Sequence, residues 1–308
     1  MTTISMHVHS FAMRFHLRHD PAFDVFRYIE LAAEQGFTGV NISANGPGYR
    51  DLGGTNAAHY ASVRAALRLH DLRCELDTSD TRPEHMTTML DVAAAVGADT
   101  LRTYTRYTGT IYELMASTVR DLRAVAPVAA AQGVTVVLEN HEDFQGRAIA
   151  EILAAVDHDH IRALFDYGNS MMVGEEPIEA LDAMGPFVHS VHAKDHVLVD
   201  HDGRCWVQGV PMGQGRLPIR SLTNRLYDDG QRRFCFENVW AYVAPVMVPT
   251  ERLPDTATFS RDHPHRYRRG EDLPLAEVLA GERAAFDQAW EWWRADLTEA
   301  GYQIAQDA

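Results

Sequence analysis

Short strand-like segments and amphipathic helix-like segments alternate eight times along the chain, and this repetition restricts the fold more than any other feature. ISMHVH is followed by DVFRYIELAAEQ, GVNIS by AAHYASVRAALRLH, RCELD by EHMTTMLDVAAAV, and TLRTYT by the long IYELMASTVRDLRAVAPVAAAQ, which contains Pro127. The second half continues with VTVVLE and IAEILAAV, ALFD and IEALDAM, FVHSVHA and IRSLTNRLYDD, then RFCFE and LAEVLAGERAAFDQAWEWWRADL. Successive parallel strands need helical crossovers, so this pattern predicts a parallel sheet with helices packed on it. Eight units favour closure into a (β/α)8 TIM barrel, and 308 residues suit one such domain spanning 1–308. Several helices end near Gly36, Gly97, Gly133 or Gly230, where glycine supplies a left-handed turn. No G-x-G-x-x-G follows the first strand, which argues against a dinucleotide-binding open sheet.

Three connections exceed the usual few residues: 44–55 after strand two, 195–217 after strand seven and 238–272 after strand eight. All leave the carboxyl ends of strands, where barrel active sites lie, so they are expected to be lids or specificity elements. Residues 238–272 form the longest of these, and 273–300 the final barrel helix. In that helix Phe286, Ala289, Trp290, Trp293 and Leu297 recur at helical spacing, as a core-facing stripe would. The net charge of −15 argues against a nucleic-acid backbone as partner. No stretch approaches 18 uninterrupted apolar residues, so no membrane span is expected, and no secretory leader is visible at the start. Cys74, Cys205 and Cys235 lack metal-binding spacing and suit a reducing cytoplasm.

Four successive strands end in groups that bind metals: Glu139 in VTVVLENH, Asp166 in RALFDYGN, His192 in VHSVHAKD and Glu237 in RFCFENVW. On neighbouring staves of a barrel these side chains converge, and three buried carboxylates at one point need a cation. Taken singly, an acid after a strand is usually a helix cap or a solvated charge; four in consecutive strands is harder to explain that way. Three carboxylates and one imidazole favour one hard-to-borderline divalent ion, Mn2+ first, with Mg2+, Co2+ and Zn2+ as alternatives. Period two places Val137, Glu139 and His141 on one face, and Ser190, His192 and Lys194 on another. Glu139 and Glu237 can then address opposite faces of a bound substrate as proton acceptor and donor, with His141 as a further acid or base. The plain alternative for His141 is a bond to a backbone carbonyl or to Asp143. Lys194 is a candidate for a substrate oxygen, against an ion pair with Asp195. His9 is expected to line the pocket floor or rim, with His7 deeper, and Trp240 or Tyr242 to stack on a substrate ring. Arg14, His16 and Arg18 place basic groups in the first loop, as ligands for hydroxyls or phosphate or as ordinary solvated charges.

With these residues the chain resembles the divalent-metal sugar isomerase/epimerase superfamily, the xylose-isomerase-like TIM barrels. Glu139, Asp166, His192 and Glu237 match that family's four ligands in order and strand position. VHAKD is similar to its H-x-K-D at strand seven, and GQGRLPI to its glycine-rich G-x-G-R segment, which implies that Arg216 reaches the substrate. The resemblance implies a sugar isomerase or epimerase that removes a proton next to a carbonyl. One departure is Asn169, where ketose epimerases and metal nucleases of the superfamily carry a histidine. The nuclease branch also needs early-strand histidines that NISAN, ELDTSD and LRTYTR lack. A looser resemblance links the Glu139 and His141 pair to the α subunits of C-glycoside deglycosidases, lyases that act on 3-keto-glycosides by β-elimination. That likeness implies a hetero-oligomer with a small subunit, where a stand-alone isomerase would be a homo-oligomer. The H-x-H of His7 and His9 also suits amidohydrolases, but Asp166 and Glu237 stand where that class needs a histidine and an aspartate. A barrel reduced to a binding subunit is the non-enzyme alternative.

Overall fold

The computed structural model describes residues 2–305. Eight parallel strands, β1 (Thr2–His9), β2 (Gly39–Ser43), β3 (Arg73–Asp77), β4 (Thr100–Thr103), β5 (Thr135–Glu139), β6 (Ile161–Asp166), β7 (Val188–Ala193) and β8 (Arg233–Phe236), pair in chain order. β8 returns to β1, with Met6 opposite Phe234 and Val8 opposite Phe236, so the sheet closes. The period-two pleat explains the layering. Met6, Val8, Val40, Ile42, Leu76, Leu101, Val136 and Leu138 belong to the continuous apolar core. The alternating set, His7 and His9, Glu75 and Asp77, Val137 and Glu139, Ser190 and His192, points the other way, into the barrel.

The lower inward layer is polar, and its carboxylate is closely partnered. His7 Nδ1 lies 3.1 Å from Glu75 Oε1, Ser190 Oγ donates to Glu75 Oε2 at 2.8 Å, and Arg233 approaches Glu75 Oε1 at 3.3 Å. Burial would raise the Glu75 carboxyl, but His7 and Arg233 outweigh it and hold it well below the usual range. Gly39 makes room for this layer, because a Cβ there would stand 2.5 Å from His7 Nε2.

The connection 195–217 contains ordered sheet. Asp195–His201 and Arg204–Val210 form an antiparallel hairpin, and Val243–Pro245 from the 238–272 segment pairs with its second strand. Asp202 and Gly203 turn it with φ of 48° and 71°, as a two-residue primed turn requires. The hairpin has its own small core of Val197, Val199 and Val210. The closing helix, Leu275–Glu299, buries Phe286, Trp290 and Trp293, with Trp290 stacked 4.1 Å from Phe37 and Phe286 edge-on to Phe236. A short strand, Tyr302–Ile304, then pairs with the start of β1.

The first loop is partly helical, Arg14–His19. Glu282 of the closing helix accepts from Phe15 N, His16 N and His16 Nδ1, which anchors that turn and takes His16 out of the cavity. Arg14 is buried between Phe11 and Phe15 and donates to the Trp240 carbonyl; burial lowers its pKa to about 10. Among the described residues no helix is long and apolar enough to cross a membrane.

Candidate functional site

The upper inward layer opens at the carboxyl ends of the strands. Glu139 and Asp166 are the last residues of β5 and β6, His192 is next to last in β7, and Glu237 follows β8 directly. Register sets Asp166 opposite His192 and His192 opposite Cys235, so the four residues sequence singled out meet at one end of the barrel. All four are buried. His192 Nδ1 lies 3.5 Å from Glu139 Oε1 and 4.0 Å from Glu237 Oε2. Glu139, Asp166 and His192 each offer a ligand atom within 4.8 Å of the others, and so do His9, Asp77 and His192.

Two cations share this chamber. Lys194 Nζ stands 2.8 Å from Asp166 Oδ2 and 2.9 Å from Glu237 Oε2, bridging carboxylates of β6 and β8. Its partner is therefore not Asp195. The buried Arg102 guanidinium lies 3.2 Å from Asp77 Oδ2 and 2.5 Å from Glu139 Oε2. Four carboxylates (Asp77, Glu139, Asp166, Glu237) thus face two cationic side chains. Burial would push the Glu237 carboxyl up; Lys194 outweighs burial and holds it at about 2. Arg102 and His192 likewise hold Glu139 below the usual range against burial. Asp166 goes the other way: burial and the neighbouring Glu139 and Glu237 raise it despite Lys194.

The donor set fits a divalent cation. Glu139 Oε1 is buried without a hydrogen bond among the described residues, and Glu139 Oε2, Asp166 Oδ2 and Glu237 Oε2 rest only on Arg102 or Lys194. Such oxygens are costly unless a cation satisfies them. Asn41 Nδ2 sits 3.1 Å from His192 Nε2 while Asn41 Oδ1 has no partner. Turning the amide over would pair Oδ1 with an Nε2–H and leave the Nδ1 lone pair facing Glu139 and Glu237. That is how a ligating imidazole is normally oriented. Asp166 is itself fixed, its Oδ1 accepting from Gly168 N and Asn169 N at 2.8 and 2.9 Å.

Around this cluster is a cavity of about 420 Å³. His9, Lys194, Glu237 and His141 line it. Phe11 N donates to His9 Nδ1 at 2.8 Å, so Nε2 carries the proton and donates to Asp77 Oδ2 at 2.9 Å. His141 lies flat on Tyr104, ring centroids 4.0 Å apart, with Nδ1 3.2 Å from Glu142. Glu142 takes the place expected of Asp143 or a backbone carbonyl. Asn169 Oδ1 accepts from Lys194 at 3.4 Å.

Two expected substrate contacts are not among the residues lining this cavity. The GQGRLPI loop folds around Asp195, whose carboxylate accepts from Gly213, Gly215 and Leu217 N–H groups. A Cβ on Gly215 would stand 2.0 Å from Asp195 Oδ1, so the glycine serves that wrap. Arg216 is thereby turned outward, and its guanidinium donates to the Asp262 carbonyl. Trp240 turns away beneath Arg268, 5.1 Å from its ring, and packs on Gly281, where a Cβ would meet it at 2.3 Å. It lines a separate cavity, and Tyr242, two residues on, faces the site instead.

Asp77, Arg102, Asn41 and Tyr104 are the site residues that sequence reading missed. Asp77 ends strand three just as Asp166 ends strand six, and Arg102 and Tyr104 alternate in TLRTYT as inward residues should.

A family profile described as xylose isomerase-like TIM barrel matches residues 29–261. The uncharacterized protein YihM of Escherichia coli K12 is 24% identical over 224 residues, 73% of this chain and 68% of that protein. Among solved structures, D-psicose 3-epimerase of Clostridium cellulolyticum H10, crystallised with D-tagatose, superposes with a TM-score of 0.65 at 15% identity, covering 93% of this chain and 98% of that one. The 3-keto-D-glucoside 4-epimerase YcjR of E. coli does so with 0.58 at 15% identity, over 79% and 95%. At such identities the likeness to these structures is one of fold. The closed barrel, together with a profile match over most of its length, makes this chain a member of the xylose isomerase-like TIM barrel family.

Proposed function

We propose that the protein is a divalent-metal-dependent sugar isomerase or epimerase that removes a proton next to a carbonyl. The observation that carries this reading is the buried cluster of Glu139, Asp166, His192 and Glu237, in which Glu139 Oε1 has no hydrogen bond and the carboxylates outnumber the cationic side chains that face them. These four residues would hold the ion, Mn2+ by preference among Mn2+, Mg2+, Co2+ and Zn2+. Such an ion supplies Lewis acidity, polarising a carbonyl so that the adjacent C–H becomes acidic.

The chain's own residues account for the rest. Lys194 has three donors, two directed at Asp166 and Glu237 and the third at Asn169 Oδ1 at a loose 3.4 Å, which a substrate oxygen would replace. When that oxygen draws Lys194 away, Glu237 loses part of the stabilisation that keeps it ionised and becomes a stronger base. Glu139 and Glu237, on β5 and the end of β8, address a bound sugar from different sides, one taking a proton and the other returning it. His9, held by Phe11 N and Asp77, offers a fixed ring wall beside His192, the centroids 4.8 Å apart. Tyr104 and His141 form another wall.

His141 favours a second reading. A titratable imidazole in the cavity, stacked and steered by Glu142, can serve as a separate base, and removal of a proton with loss of a group on the next carbon is β-elimination. Similarity to an epimerase of 3-keto-glucosides supports a 3-keto-glycoside as its substrate. In the isomerase reading the chain works as a homo-oligomer; in the lyase reading it pairs with a small second subunit. Three free, buried cysteines suit a cytoplasmic setting for either.

The test is incubation of Mn2+-loaded protein in D2O with a panel of ketoses and 3-keto-glycosides. Deuterium in a recovered or rearranged sugar supports the isomerase, and a released aglycone supports the lyase. Failure to bind a divalent ion, or neither exchange nor aglycone release with any sugar, sinks both.

A further inference from the structure

Resting on the sugar-isomerase reading, we propose that the mouth of this cavity holds an anion subsite built by Arg18 and Arg50, and that the sugar carries a phosphate or carboxylate. Both arginines line the cavity that contains Lys194 and Glu237. Arg18 comes from the short helix after β1, and Arg50 from the loop after β2. Their guanidinium groups make no hydrogen bond among the described residues. The nearest carboxylates, Glu271 for Arg18 and Asp51 for Arg50, form loose ion pairs at 3.7 and 3.6 Å, beyond hydrogen-bond distance.

Several arginines elsewhere on the surface find carboxylates. Arg27 grips Glu34 at 2.8 and 2.9 Å, Arg225 meets Asp182 at 3.0 Å, and Arg283 meets Asp287 at 2.9 Å. Arg18 and Arg50 are thus set apart by idle donors on a shared concave surface. Asp51, beside Arg50, is held through its other oxygen by the Ser10 hydroxyl, which donates at 3.0 Å. Arg18 Nε is buried without a partner, and its side chain is only 24% exposed, so bulk water does not readily satisfy it. Burial and then the charge of Arg50 lower the pKa of Arg18, as expected of two guanidinium groups facing one space.

A planar fork of N–H donors matches the oxygens of phosphate or carboxylate. In a chain of net charge −15, an anionic substrate also needs a local cationic mouth to be drawn in. Arg106, on the far wall, is occupied by the Tyr104 hydroxyl and is left out of the subsite.

Titration calorimetry of the Mn2+-loaded protein with inorganic phosphate, and separately with acetate, tests the subsite without requiring turnover. One of these anions should bind wild type, and Arg18→Gln and Arg50→Gln should each weaken it by roughly tenfold or more, the loss of a charge-assisted contact. Arg50→Lys should retain part of the affinity. The anion that binds decides between a sugar phosphate and a sugar acid. In the exchange assay the same variants should raise KM for the anionic sugar and leave neutral ketoses unaffected. The subsite is refuted if neither anion binds, or if the glutamine variants bind as wild type does, which would place the anion on the metal. Equal turnover of neutral and charged sugars also refutes it while leaving the isomerase intact. Arginine-dependent anion binding without deuterium exchange on any sugar would overturn the isomerase and keep the subsite.

Discussion

Arg102→Met probes the charge balance of the site most directly. The guanidinium is buried between Asp77 and Glu139, and methionine retains much of the stem while removing the charge. Removing one partner of a buried ion pair costs about 3–5 kcal/mol, because the other charge is left uncompensated. At about 2.1 cal/mol/K per residue, the unfolding entropy of 308 residues is about 0.65 kcal/mol/K, so the metal-free variant should melt about 5–8 °C below wild type. Calorimetric or circular-dichroism melts of chelated protein measure this. Adding Asp77→Asn should restore part of the loss, with a coupling of about 1.5 kcal/mol or more in a double-mutant cycle. Saturating Mn2+ should shrink the deficit further, since the ion takes over compensation of Glu139. A chelated Arg102→Met protein within about 1 kcal/mol of wild type, with no coupling to Asp77, would refute the argument that these charges balance one another.

Four further outcomes follow from the same geometry. Glu237→Gln should lower deuterium exchange by about 10²–10⁴-fold, the range for loss of a general base, when assayed at saturating Mn2+. Chelation should lower the melting temperature of wild type, and free Mn2+ at about 100 times its Kd should return about 2.7 kcal/mol; an unchanged melt would count against the metal site. His196, buried and next but one to Lys194, has its pKa lowered to about 3, first by burial and then by Lys194. The unfolded chain therefore takes up that proton first as pH falls below about 6.5, and stability should drop by about 1.4 kcal/mol per pH unit from there toward pH 3. His196→Gln should flatten urea-unfolding stability between pH 6.5 and 5 by one proton, and an unaltered slope would mean that this ring is not the source. Gly39→Ala should destabilise the barrel by about 1–3 kcal/mol, as overpacking against His7 does, and a neutral result in denaturant titration would show that the ring can move aside.

The legible part of this molecule is the part set by short-range periodicity. A residue's place in a strand determines which face it occupies, because the pleat repeats every two residues whatever surrounds it. Glu139, Asp166, His192 and Glu237 could therefore be assigned to the strand ends of a barrel from eight alternations and four acidic or imidazole endings. The turn at Asp202 and Gly203 was equally local, and a hairpin could have been read from it. Which cation meets which carboxylate was not local. Lys194 bridges strands six and eight, and Arg102 reaches Asp77 and Glu139 across strands three to five, distances set by the stagger of the closed sheet. Arg216 and Trp240 stand in loops, where direction depends on a distant backbone. Asp195 gathers the N–H groups that turn Arg216 outward, and Gly281 leaves the hollow that takes Trp240. A chain carries its alternation within a few residues of each position, but the partners of a charge exist only once segments far apart have been packed together.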